Sequence, residues 1–443
     1  MPMKDLKYNI YIKIGSIIAL VLILLIPTSM VKDLVRERAM RQRTAIDEVG
    51  DKWGSSQTLT GPFISVPYDK YMVQINPKDS SEQTVKIKEW IHYLPNDLRI
   101  KGNLLPEELN RGIYEVVVYD AALEFMGDFP VLPLHKFDIN PDHVHYDKAI
   151  FNIGITDLKG IEEQIALSFH NNQVDFNAGL SDKDIVSTGI HAPIHLNRSD
   201  SGNYKFRFKL SLKGSQDMYF TPLGKTTDIR LQSNWPTPSF SGNTIPDERE
   251  VSDNGFMAHW NVLHLNRNYP QQWLNGQHGI SSSKFGVDLL LPVDRYKKTN
   301  RVAKYAILFL ALTFLVFFFV EVLNGVFVHP MQYLLVGVAL VVFYSLLLAF
   351  SEHMLFDYAY IIATSLTLLL IALYARSVLK SNALAVLVGG ILLIMYTFIF
   401  AIIQLQDYAL LIGSLGVFII LALVMYFSRK IDWYQIKLGP KTT

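Results

Sequence analysis

Apolar residues gather into six long runs, one near the start of the chain and five in its last third, and the interval between them is polar or alternating. The runs are Ile14–Met30, Ala306–Val322, Met331–Phe350, Tyr358–Ala375, Ala383–Ile403 and Tyr408–Phe427, each about 17 to 21 residues without Lys or Arg. At a rise of about 1.5 Å per residue such a run crosses most or all of a bilayer's hydrocarbon core, so six transmembrane helices are predicted. Lys4, Lys7 and Lys13 precede the first run as in a secretory signal, but Pro27-Thr28-Ser29-Met30 offers no small-x-small cleavage site. An uncleaved signal anchor is expected. Glu37/Arg41 and Arg43/Asp47 then stand at i,i+4, and Val35, Ala39, Ile46, Val49 and Trp53 recur at roughly helical spacing, which continues the helix to Trp53.

From about Asp51 to Arg295 the period changes to two, over a stretch far too long for a loop. In Tyr204–Lys213 the residues Tyr204, Phe206, Phe208, Leu210 and Leu212 alternate with Lys205, Arg207, Lys209, Ser211 and Lys213, the mark of a half-buried antiparallel strand. Thr84–Leu94, Ile113–Phe125, Ile165–Phe169, Asp228–Gln232 and Lys284–Leu291 also read as strands between turn-forming residues. The predicted fold is a six-helix membrane bundle carrying a large all-β, sandwich-like extracytoplasmic domain. Its parts are a signal-anchor helix (1–31), a juxtamembrane helix (32–53), the β domain (54–295, in one or two lobes), a five-helix bundle (296–430) and a cytoplasmic tail (431–443).

Short loops set the orientation, because positive charge counts only there. Ala375–Asn382 carries Arg376 and Lys380, whereas Ser351–Asp357 and Gln404–Asp407 carry no Lys or Arg and are acidic. Both termini are therefore expected in the cytoplasm, with the β domain outside it. A net charge of only +1 gives no footprint for nucleic acid. The absence of cysteine excludes disulfides, thiolate metal sites and cysteine nucleophiles.

Candidate chemistry is sparse. Gly224-Lys225-Thr226 lacks the earlier glycine of a phosphate loop and precedes a strand, so it reads as a turn. His143 and His145 would share a strand face, and His191 and His195 flank Pro193, but nothing in the sequence brings the pairs together and no metal site or cofactor is assigned. Trp235 and Phe240, set among turn formers, plug the domain core or line a binding lip. Glu321, near the end of the second run, is the notable membrane acid, with Arg376 as its candidate counter-charge. Glu352, His353 and Asp407 fall at the outer ends of the runs. Ala409 and Gly413 form a small-xxx-small pair suited to close helix packing. Trp235, Phe240, Glu321, Glu352 and His353 are the binding candidates, and no catalytic residue is assigned, Gly-x-Ser-x-Gly and His-Glu-x-x-His both being absent.

Arg301-Val302-Ala303-Lys304-Tyr305-Ala306-Ile307-Leu308, His329-Pro330-Met331-Gln332-Tyr333-Leu334-Leu335-Val336-Gly337 and Ser351-Glu352-His353, with Arg249-Glu250-Val251-Ser252, the Trp235 segment and Ile431-Asp432-Trp433-Tyr434, resemble the inner membrane protein CreD family over nearly the whole chain. The resemblance implies a bacterial inner-membrane protein linked to cell-envelope integrity and stress, with tolerance of group-E colicins as a family association, and it brings no catalytic residues. The expected partners are the lipid bilayer and an envelope protein or polymer. A membrane enzyme acting on lipid or cell wall, and a solute conduit through the bundle, are the alternatives.

Overall fold

The computed structural model describes residues 10–75, 82–131, 137, 139–198, 202–276, 278–289, 295–405 and 408–429. The chain divides into two compact units, Met1–Gln42 with Val293–Thr443 and Arg43–Pro292. Asp407 and Ile431–Tyr434, named above, lie outside the described residues.

Seven helices are described: α1 (Ile10–Trp53), α2 (Arg295–Lys304), α3 (Ala306–Asn324), α4 (Pro330–Ser351), α5 (Phe356–Leu379), α6 (Asn382–Gln404) and α7 (Ala409–Ser428). All but α2 are long and apolar enough to cross a membrane. The signal anchor and the charged stretch after it form the single helix α1, ending at Gly54, which takes φ +153°. The turn into α4 follows from local chemistry. Gly325 closes α3 in the left-handed conformation, Pro330 occupies the first turn of α4 where no N–H partner is needed, and His329 and Gln332 cap its free amides reciprocally. The bundle core is strongly aromatic, with Phe309, Phe314, Phe343, Tyr333, Tyr344 and Tyr396 buried. Gly337 admits α1: a Cβ there would sit 2.2 Å from Leu24 Cδ1. The expected Ala409/Gly413 seam is not used. A Cβ at Gly413 would meet nothing within 4 Å among the described residues, and α7 touches its neighbour through Gly416, whose missing Cβ makes room for Phe398.

The described residues of the second unit form seventeen strands: β1 (Gln57–Ile75), β2 (Glu82–Tyr93), β3 (Asp97–Arg111), β4 (Tyr114–Phe129), β5 (Ala149–Ile155) and β6 (Ala166–Phe169). There follow β7 (Asn172–Asp175), β8 (Asn177–Ala178), β9 (Gly189–Ile194), β10 (Tyr204–Ser215), β11 (Asp217–Thr221) and β12 (Thr226–Ser233). The last are β13 (Pro238–Gly242), β14 (Glu248–Ser252), β15 (Gly255–Leu263), β16 (Gln272–Leu274) and β17 (Phe285–Leu289). They form two sheets. One runs β13-β17-β11-β1-β5-β9-β8, with β2 and then β16 attached through β1; the other runs β14-β15-β12-β3-β4-β10-β6-β7. The β1/β11 and β3/β12 pairs are parallel, so the sheets are mixed and not purely antiparallel.

One apolar core lies between the sheets, and the alternation read in Tyr204–Lys213 is what builds its wall. Tyr204, Phe206, Phe208, Leu210 and Leu212 are buried while Lys205, Arg207 and Lys209 are exposed. Phe125 stacks on Phe208 at 4.6 Å, and Phe151 meets Phe206 edge-on at 5.4 Å. The predicted strand carrying His143 and His145 is instead a 3₁₀ turn at Pro141–His143 leading to a single bridge at Val144, because Pro141 and the Asn140 side-chain cap favour a turn.

Gly127 packs against the paired strand with no room to spare: a Cβ would lie 2.0 Å from the Asp97 carbonyl and 2.8 Å from Phe206. Gly127→Ala must push backbone apart and is expected to cost about 1–3 kcal/mol. A melting temperature of the detergent-solubilised variant equal to that of wild type would contradict this packing.

Candidate functional site

Polar groups are concentrated in four places. The first is within the bundle, where Glu321 is fully buried and Lys13 is 6% exposed. Lys13 Nζ lies 3.0 Å from Glu321 Oε1 and donates to the Val328 carbonyl. Tyr333 Oη donates to Glu321 Oε2 at 2.8 Å, and the Val328 amide donates to Oε1 at 3.2 Å. The ammonium also lies over the Tyr333 and Phe327 rings, at 4.8 and 5.1 Å. The carboxylate's counter-charge is therefore Lys13 and not Arg376, which is exposed. Lys13 precedes the first apolar run in sequence, so it reads as a flanking signal charge; only the packing of α1 shows where it points.

The second place, elsewhere in the same unit, gathers Glu352. Arg38 Nε approaches its Oε1 to 3.5 Å and Tyr296 Oη to 3.4 Å. Lys298 contacts Gln404 at 3.2 Å, and Gln404 donates to Asp357 at 2.7 Å. His353 is exposed. A cleft of about 630 Å³ between α3, α6 and α7 is lined by aliphatic and aromatic side chains and Asn324.

The third is in the β unit, where Ser65 and His92 are register partners on β1 and β2. Ser65 Oγ donates to Asp182 Oδ2 at 3.0 Å and lies 3.1 Å from His92 Nδ1. His92 Nε2 lies 3.3 Å from Asp184 Oδ2, and Asn152 Nδ2 donates to Ser65 Oγ at 3.2 Å. Burial lowers the His92 pKa, against the pull of Asp182 and Asp184.

The fourth is open. On the solvent face of the β3-β12-β15-β14 side, a depression of about 550 Å³ has Gly102 and Ala122 among its lining residues and carries Lys101, Arg230, Arg249, Glu248, Glu250 and His259. A second hollow of about 310 Å³ shares Asn103, Gln232, Glu250 and Met257 with it, making one continuous trough. His259 is held by Asp228 at 2.7 Å.

Other candidates are placed apart. Trp235 is 8% exposed in the main core, and Phe240 packs edge-on to Phe256 and Trp260, so both plug the domain. His145 bonds Asp69 at 2.8 Å, His143 leans on Tyr71, and His191 bonds the Gly179 carbonyl, with no shared site among them. Within the basic row, Arg207 pairs with Glu124 and Lys213 with Glu162.

These features define a multi-pass membrane protein whose helical bundle is joined to a large two-sheet β domain. The chain belongs to the CreD family: the family model described as inner membrane protein CreD matches residues 9–434. The inner membrane protein CreD of Escherichia coli strain K12 is 34% identical over 441 residues, covering 98% of this chain and 96% of the relative. Multi-pass residence in the inner membrane follows. Neither description names a catalytic activity. A zinc metallopeptidase of the M1 type from Deinococcus radiodurans aligns at 6% identity over 38% of each chain with a TM-score of 0.19, a likeness too slight to carry any argument.

Lys13→Met strands Glu321 in the bundle and is expected to destabilise the solubilised protein by ~3–5 kcal/mol, with much of that recovered on adding Glu321→Gln. Thermal melts of the single and double variants check it, and a single variant as stable as wild type counts against the pair. A second expectation concerns Asp217, which stands directly opposite Asp288 across β11 and β17. Burial raises its pKa to about 6, with the Asp288 charge adding to the rise and the Ser56 hydrogen bond opposing it. The folded state then holds a proton that the unfolded state releases near 4, so this group's contribution to stability falls as pH rises from about 4 to 6. Asp217→Asn should melt higher than wild type above about pH 7, with the gap closing toward pH 4. A gap unchanged across that range would refute the assignment.

Proposed function

We propose that this CreD-type protein holds its β unit on the periplasmic side, with both termini in the cytoplasm, and serves envelope integrity by binding an extended segment of another envelope protein in the trough. The observation that carries this reading is the trough itself. It is walled by exposed groups of both signs, it is lined by the backbone of Gly102 and the small side chain of Ala122, and it runs beside β14, an edge strand exposed along its whole length. Unpaired edge backbone with alternating side-chain pockets is how sheets take up extended peptides. Mixed charge suits a polypeptide better than a uniformly anionic polymer. The bundle, by contrast, bonds its buried acid internally at Lys13 and Tyr333.

A photoreactive residue in place of Met257, which is 53% exposed, is expected to crosslink a discrete envelope protein in intact cells. The same probe at Gln173, on the far edge of that sheet, should give none. Adducts that are absent at Met257, equal at both positions, or confined to lipid would overturn the binding reading. Orientation is checked separately: Ser181→Cys should react with an impermeant thiol reagent on intact spheroplasts, and protection until lysis would reverse the topology.

A further inference from the structure

The outer face of the nine-stranded sheet bears a second, smaller core made by Phe63, Leu94, Leu223, Tyr269, Trp273 and Ile280. Set beside these apolar residues are Ser65, His92 and Asn152, none more than 1% exposed, and Asp182 at 5%. The Asp184 side chain, 34% exposed, forms the rim of the same cluster. His92, Asp182 and Asp184 each bring one donor atom to within 4.8 Å of the others. Bonds of about 2.1 Å at tetrahedral angles place neighbouring ligand atoms ~3.4 Å apart. His92 Nδ1 lies 3.3 Å from Asp182 Oδ2 and His92 Nε2 lies 3.3 Å from Asp184 Oδ2; an ion takes one ring nitrogen, so one of these edges already has that spacing and the other carboxylate must turn toward it.

One further observation points to a bound cation, and a second shows that the polar groups around the cluster are not all paired. A neutral imidazole has a single N–H, yet a carboxylate oxygen faces each ring nitrogen of His92, so one lone pair is directed at an anion. Asn152, whose amide nitrogen donates to Ser65 Oγ within the cluster, has a buried Oδ1 with no partner among the described residues. A cation bound at one of the His92 nitrogens would give that lone pair a partner of the right sign.

We propose that His92, Asp182 and Asp184 bind a divalent transition cation of the zinc or manganese class, clipping the Asp182–Asp184 segment onto β2. One imidazole with two carboxylates is a donor set suited to those ions. Asp184, on the rim, gives the ion its route in. Ser65 and Asn152 stand behind the ligands and orient them. This site is independent of the trough and of its proposed ligand.

The test uses the tag-free full chain in detergent micelles, stripped with chelator and titrated with zinc chloride and, separately, manganese chloride. Wild type is expected to take up one equivalent of at least one metal by calorimetry and elemental analysis, with a rise in melting temperature. Asp184→Asn, which changes a rim residue and should leave the fold intact, is expected to weaken binding ~10-fold or more, and His92→Gln to abolish it. Asp142→Asn, at an exposed acid elsewhere, should bind as wild type does. Failure of wild type to bind either metal, or equal binding by Asp184→Asn and wild type, overturns the site and leaves a purely hydrogen-bonded network.

Discussion

A carboxylate with no solvent access between membrane helices persists only with a counter-charge and with its remaining lone pairs bonded. Glu321 meets that demand through Lys13, Tyr333 and the Val328 amide, and the arrangement fixes more than one side chain. Lys13 lies on α1, Glu321 near the end of α3, Val328 in the connection and Tyr333 on the first turn of α4. A shift of α1 along its axis by one residue, about 1.5 Å, would pull the ammonium out of bonding range, so the pair sets the axial register of α1. Apolar packing contributes through Leu24, seated at Gly337, but the ion pair is the contact whose loss leaves a buried charge.

That register matters because α1 is the helix whose last turns belong to the β unit. Within that unit, Arg111 bonds Glu48, and the Lys213 ammonium lies 4.5 Å from the centre of the Trp53 ring. Gly54 ends the helix against the Lys213 carbonyl at a distance no Cβ could tolerate. The first helix of the chain is thereby specified at both ends by polar contacts: an ion pair in one unit, and a cation over an aromatic ring with a backbone approach in the other. Apolar contact alone does not decide its placement.

What could be read from the chain and what could not separates along a physical line. The six spans were visible because a 17-residue apolar run has few alternatives, and their ends moved by only a few residues. The alternation in Tyr204–Lys213 was visible because one of its faces is buried in a core and the other is wet. Partnerships were not visible. Lys13 and Glu321 are 308 positions apart, and His92 meets Asp182 and Asp184 only once β2 has paired with β1 and the later segment folds over the sheet. His143 and His145 attracted notice as neighbours, whereas His92 stood alone in its strand and gave no local signal. Its one sequence clue was being a polar residue inside Trp90–Leu94, where Ile91 and Tyr93 face one side and His92 and Leu94 the other. A strand buried on both faces reads that way, and the polar member then needs partners from elsewhere.

The two sheets differ in how their outer faces are finished. The nine-stranded sheet carries Trp273 on its short strand β16, and irregular segments bring Tyr269 and Ile280 down onto Phe63 and Leu94, so its outer face holds a second core with a polar cluster beside it. The eight-stranded sheet is not covered across β3, β12 and β15. Lys101, Arg230, Gln232 and Met257 project from it, and its β14 edge is exposed at every residue. Uncovered edge strands favour unwanted pairing, and this one carries Glu248, Arg249 and Glu250, charges of the kind that discourage indiscriminate addition. In the proposed binding mode, an edge that is guarded by charge yet flanks a trough would select its partner by charge register as well as by backbone pairing. Under that proposal the open face presents its pattern without itself having to fold around a ligand.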